Sequence, residues 1–140
     1  MNPIVIGISG QTSTHKTKLV NELAQNLNAT SLGWNGCDSQ TLEDILKVLK
    51  DNRPFVNPIP FLHPVGIHTL HPTRHIIFDT PLGYLHEQTG RYIDVCIHFE
   101  PPLPLEEKLK LHADFVIGGK RSIANQLKEI KQYLFEISMD

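Results

Sequence analysis

The stretch Ile4-Val5-Ile6-Gly7-Ile8-Ser9-Gly10-Gln11-Thr12-Ser13-Thr14-His15-Lys16-Thr17 decides how the rest of the chain is read. Ile4, Val5, Ile6 and Ile8 form a short apolar run of the kind that makes a buried strand. From Gly10 the spacing is G-x-x-x-x-H-K-T, that of a phosphate-binding loop, with His15 where such a loop carries its second glycine. Each position has a physical task. Backbone N–H groups in such a loop turn inward toward an anion at the positive end of the following helix. Gly10, Ser13, Thr14, His15, Lys16 and Thr17 are therefore the expected phosphate-binding residues, with the Lys16 ammonium reaching the outer phosphates and the Thr17 hydroxyl a ligand of Mg²⁺. Leu19, Val20, Leu23, Ala24 and Leu27 then recur at helical spacing. An ordinary strand-to-helix turn carrying a chance Lys-Thr is the alternative, and the succession of strand, loop and helix argues against it.

Outward from this segment, strand-like and helix-like stretches alternate, which predicts an α/β fold with a parallel sheet covered by helices. The pattern predicts five strands, at Ile4–Ser9, Thr30–Gly33, His75–Asp79, Val95–Phe99 and Asp114–Ile117. It predicts helices at Lys16–Leu27, Thr41–Lys50, Leu103–Leu111 and Ser122–Glu136, with a shorter helical turn around Gly83–Thr89. Ile123, Leu127, Ile130, Leu134 and Ile137 mark the last helix as a packing helix. Five of the chain's 10 prolines, Pro54, Pro58, Pro60, Pro64 and Pro72, lie between Arg53 and Pro72, so no regular structure is expected there. No internal repeat, low-complexity tract or interdomain linker is visible, and 140 residues suit one domain.

The charge balance, Lys+Arg 13 against Asp+Glu 15, argues against a polyanionic nucleic acid or a membrane surface as partner. Cys37 and Cys96 form no metal-type pair and fit a reducing compartment. No basic segment precedes the apolar start and no run reaches the ~20 apolar residues of a membrane span, so the cytoplasm is the expected location. The chain is silent on homo-oligomerisation.

Three further groups could carry chemistry. His75-Ile76-Ile77-Phe78-Asp79 is an apolar strand ending in a carboxylate, and in a parallel sheet that end lines the ligand crevice. Asp79 is thus a second expected Mg²⁺ ligand, its plainer reading being a residue that opens the turn Asp79-Thr80-Pro81. His63, His68, His71 and His75 are close in sequence, but the proline-rich setting of the first three and the lack of a nearby cysteine make solvated loop histidines a better reading than structural zinc. Asp38, after the second strand, is open to two roles: a general base accepting a substrate proton, or the N-cap of the next helix.

With these pieces placed, the chain resembles the uridine kinase and nicotinamide riboside kinase branch of the P-loop kinases. The resemblance rests on GISGQTSTHKTKLVNEL at the loop, DILKVLKDNRPFVNPIPF, HIIFDTPLGYL at the central strand, and RYIDVCIHFEPP followed by HADFVIGG. It implies a P-loop NTPase-type three-layer sandwich, ATP and Mg²⁺ as cofactors, a nucleotide or small phosphorylated ligand as partner, and Lys16 and Asp38 as the candidate catalytic residues. The chain also departs from that pattern. Asn35 stands where the family carries its catalytic aspartate, and Pro60-Phe61 where it carries a tyrosine and an aspartate that hold the nucleoside. The family's arginine-rich lid has no counterpart, since Pro101 to His112 holds Lys108 and Lys110 but no arginine. Two functions remain open on these residues: a small-molecule kinase of reduced activity, or a nucleotide- or phosphate-binding module without chemistry.

Overall fold

The computed structural model describes residues 2–11, 13–34, 38–56, 69–100, 112–118 and 121–138. Its elements, in chain order, are β1 (Ile4–Ser9), α1 (Thr14–Leu27), β2 (Thr30–Gly33), α2 (Ser39–Lys50), β3 (Phe55–Val56), β4 (Thr69–Leu70), β5 (His75–Asp79), a 3₁₀ turn (Gly83–Leu85), α3 (Glu87–Gly90), β6 (Val95–Glu100), β7 (Phe115–Gly118) and α4 (Ile123–Ser138). Five strands form one sheet in the order β2-β5-β1-β6-β7, and every neighbouring pair is parallel. All five strands expected from the sequence are present, each within a residue of its expected bounds. The predicted helix Leu103–Leu111 falls outside the described residues.

Alternation along the strands sends side chains to two separate cores. Val5, Leu32, Ile76, Phe78 and Cys96 pack beneath Leu42, Ile45, Leu46 and Leu49 of α2. Ile6, Ile8, Ile77, Ile97 and Phe99 pack on the other face beneath Leu19, Val20 and Leu23 of α1 and Ile130 of α4. Burial on both faces explains why these strands read as continuous apolar runs. It also makes the fold a three-layer sandwich with β1 at the centre of the sheet.

Both main helices begin two residues earlier than their apolar spacing implies, because their caps are polar and carry no periodic signal. Ser13 caps α1, its Oγ accepting from the Lys16 N–H at 3.1 Å, and Asp38 caps α2, its Oδ1 accepting from the Thr41 N–H at 2.7 Å. The proline-rich stretch needs a correction: Phe55–Val56 and Thr69–Leu70 pair as a short antiparallel ribbon. Prolines forbid a ladder bond only at their own nitrogen, and these four residues contain none.

Candidate functional site

Register brings the predicted site together. Ile8 lies beside Asp79 across β1 and β5, and Gly33 lies beside Asp79 on the other flank. The ends of the two central strands are joined further by Thr80 N–H to the Ile8 carbonyl at 3.1 Å and Gly10 N–H to the Pro81 carbonyl at 3.3 Å. Asp79 therefore emerges next to the start of the loop, on the same face of the sheet as α1.

Gly10 turns the chain out of β1 with φ +122°, and a Cβ there would lie 2.7 Å from the Phe99 carbonyl oxygen. Only glycine fits that conformation and that space. The chain then enters α1, whose first N–H groups have no acceptor inside the helix. Ser13 takes the N–H of Lys16 through its hydroxyl and that of Thr17 through its carbonyl, at 3.0 Å. The N–H groups of Thr14 and His15, on exposed residues, face the position an anion would take at the helix start.

Lys16 is fully buried. Its Nζ donates to the Gly10 carbonyl at 2.8 Å and the Thr80 carbonyl at 3.2 Å, and pairs with Asp79 Oδ1 at 2.8 Å. Three acceptors match the three donors of an ammonium. An unpaired charge in this position would be costly, so the ion pair explains how a lysine occupies the interior. It also has a chemical consequence: the residue suited to phosphate and the residue suited to Mg²⁺ hold each other, and a ligand engaging either must exchange that contact for its own.

The donor set fits a phosphate chain with Mg²⁺. Thr17 and Asp79 offer the hard hydroxyl and carboxylate oxygens this ion takes, Lys16 offers a point charge to phosphate, and the loop backbone is held open by a glycine. Thr80, whose carbonyl accepts from Lys16, also has a buried hydroxyl without a hydrogen-bond partner. Among the described residues no group of three or more His, Cys, Asp or Glu side chains is arranged to hold a metal ion.

Other expectations resolve residue by residue. His15 lies in the first turn of α1 with helical backbone and an exposed side chain, so the position asks for no glycine-only conformation. Asp38 serves as a helix cap, and the hydrogen bonds from Thr41 hold its carboxyl below the ordinary carboxylate range. His75 opens β5, where burial and then the neighbouring Arg74 charge favour its neutral form. His71 is exposed, its carbonyl accepting from the Thr30 hydroxyl. Asn35, Pro60, Phe61, His63, His68, Lys108 and Lys110 lie outside the described residues.

The sequence reading missed a buried polar pair under the loop. Ser9 Oγ and His98 Nδ1 stand 3.1 Å apart, and both residues are closed to solvent. A histidine within the apolar run Val95-Cys96-Ile97-His98-Phe99 was the available signal. It also missed an aromatic step at the same edge of the sheet, where Trp34 stacks on Phe78 and meets His86 edge-on, with ring centres 6.3 and 4.8 Å apart.

No helix among the described residues is long and apolar enough to cross a membrane. No protein-family model matches the chain, and no curated protein sequence does. Solved structures do. The shikimate kinase of Aquifex aeolicus superposes with a TM-score of 0.55 at 15% identity, over 97% of this chain and 99% of that one. A possible uridine kinase from Bacillus stearothermophilus gives 0.55 at 18% identity over 84% and 89% of the two chains. A sugar kinase from Janibacter gives 0.50 at 9% identity over 94% of each. At such identities the likeness is one of fold, and the fold of this chain is that of the P-loop kinases.

Proposed function

We propose that the chain binds ATP with Mg²⁺ through Gly10–Thr17, as a P-loop kinase-like protein related to uridine kinases whose phosphoryl transfer is reduced. One observation carries the reading: Lys16 and Asp79, 63 positions apart in sequence, meet at 2.8 Å at the mouth of a glycine-turned loop. ATP with Mg²⁺ supplies the transferable phosphoryl group. The chain's own residues then divide the work. Backbone N–H groups at the start of α1 would cradle the phosphates, Lys16 would neutralise them, and Thr17 with Asp79 would hold the metal.

A second reading, a nucleotide- or phosphate-binding module without catalysis, is favoured by Asp38. A carboxylate engaged in capping α2, and made less basic by those hydrogen bonds, is a poor general base. The binding half common to both readings is tested by calorimetric titration with ATP and Mg²⁺. Wild type should bind, and Lys16→Ala should bind at least tenfold more weakly, with the difference shrinking at high salt. Equal binding by the two proteins would refute it.

A further inference from the structure

Ser9 and His98 have no part in the phosphate chemistry just described, yet they are built with care. Ser9 ends β1 and lies in register beside His98 of β6. Alternation sends both side chains to the α2 face of the sheet, opposite Lys16 and Asp79. Each is 1% exposed. An imidazole closed to solvent on this face of the sheet carries a desolvation cost that an aliphatic side chain would avoid, so its polarity calls for a reason beyond filling space.

Its position supplies one. The His98 ring abuts the start of the loop, with Cε1 3.4 Å and Nδ1 3.7 Å from where a Cβ on Gly10 would lie. On its other side Ser9 is covered by the 3₁₀ turn, whose Gly83 leaves so little room that a Cβ would come within 2.9 Å of both Ser9 Cβ and Cys96 Sγ. The last side chain of β1 is thus gripped from two sides. The very next carbonyl, that of Gly10, accepts from Lys16 Nζ at 2.8 Å.

We propose that His98 is a positioning residue for the phosphate loop: through the Ser9 hydroxyl and its contact with Gly10 it holds the Gly10 carbonyl in place, and so sets the point from which the Lys16 ammonium meets phosphate. The proposal rests on the phosphate-binding reading above. A leucine at this position would remove the imidazole partner of the buried Ser9 hydroxyl and the ring beside Gly10, and the Gly10 carbonyl that orients Lys16 would be held less firmly.

The test is a double-mutant cycle read by calorimetric titration with ATP–Mg²⁺ on wild type, His98→Leu, Lys16→Ala and the double variant. Side chains that act as one unit are non-additive, whereas a diffuse structural defect adds. His98→Leu should weaken binding about tenfold when Lys16 is present, within the usual range for coupled neighbours, and by less than twofold in the Lys16→Ala background. His98→Asn, which returns a polar atom to Ser9, should recover most of the loss. Equal affinity of His98→Leu and wild type overturns the proposal, and so does the same loss in both backgrounds. Should His98→Leu fail to fold, Ser9→Ala in the same two backgrounds decides on the same terms. If Lys16→Ala itself leaves ATP binding unchanged, it is the phosphate-binding reading that falls. A loss with Lys16→Ala but none with His98→Leu or Ser9→Ala overturns the positioning role alone.

Discussion

Gly10 is the residue on which the loop turns. Its φ of +122° excludes ordinary side chains, and the 2.7 Å approach of the Phe99 carbonyl excludes a Cβ even if the backbone were to comply. That carbonyl is backbone within the sheet and cannot step aside cheaply. Gly10→Ala should therefore destabilise the protein by at least about 2 kcal/mol in urea unfolding, the scale of a strained backbone position with a steric clash added. His15 presents the opposite case. Because it is helical and exposed, a glycine there would add backbone entropy of the unfolded chain and lower stability by roughly 1 kcal/mol relative to alanine. What remains against His15 is the bulk of its ring beside the phosphate position. His15→Ala and His15→Gly should both bind ATP more tightly than wild type in calorimetry, with alanine at least as good as glycine. Weaker binding by both would make the imidazole a donor to phosphate instead of an obstacle.

At the level of elements, the two helices that flank the site begin on polar caps. Asp38 caps α2, and hydrogen bonding to Thr41 lowers its carboxyl pKa below the ordinary value. The folded pKa lies below the unfolded one, so the contribution is present above the ordinary carboxylate range, near pH 4, and is lost as pH falls through the folded value. Glu43 on the same helix behaves likewise, chiefly through its hydrogen bond from Arg91. Thermal unfolding followed between about pH 6 and pH 2 should thus show a shallower acid loss for Asp38→Asn than for wild type, with part of the slope retained through Glu43. Asparagine keeps the cap while removing the titration, so the neutral-pH stability should change little. An unchanged acid slope would show that the cap is not what α2 depends on.

For the molecule as a whole, the question is turnover. On the proposed reading the glycine-turned loop, Lys16 and Asp79 hold a nucleotide, whereas Asn35 stands in the sequence where the resemblance expects a catalytic aspartate and Asp38 is engaged as a cap. Loss of a general base alone removes about 10²–10⁴-fold in rate. Transfer to uridine, cytidine or nicotinamide riboside should therefore stay below ~1 per second, the low end for ordinary enzymes. A coupled assay with mass-spectrometric identification of product checks this, and faster turnover would establish a working kinase with its acceptor site placed elsewhere. The alternation of apolar runs with helical periodicity was enough to determine the α/β class and the strand positions, because two buried faces leave strands uniformly apolar and one buried face leaves helices striped. The spacing from Gly10 to Thr17 likewise made the step from strand to helix legible, since a glycine turn and a polar helix cap are set by local backbone geometry. Strand order was beyond such reading: it depends on which edges pair across long separations, and that pairing alone put Asp79 beside Ile8 and Ser9 beside His98. The choice between base and cap for Asp38, the inward fold of Lys16 onto Asp79, and the helical state of His15 were decided in the same way, by neighbours that only the packed chain brings within hydrogen-bonding distance.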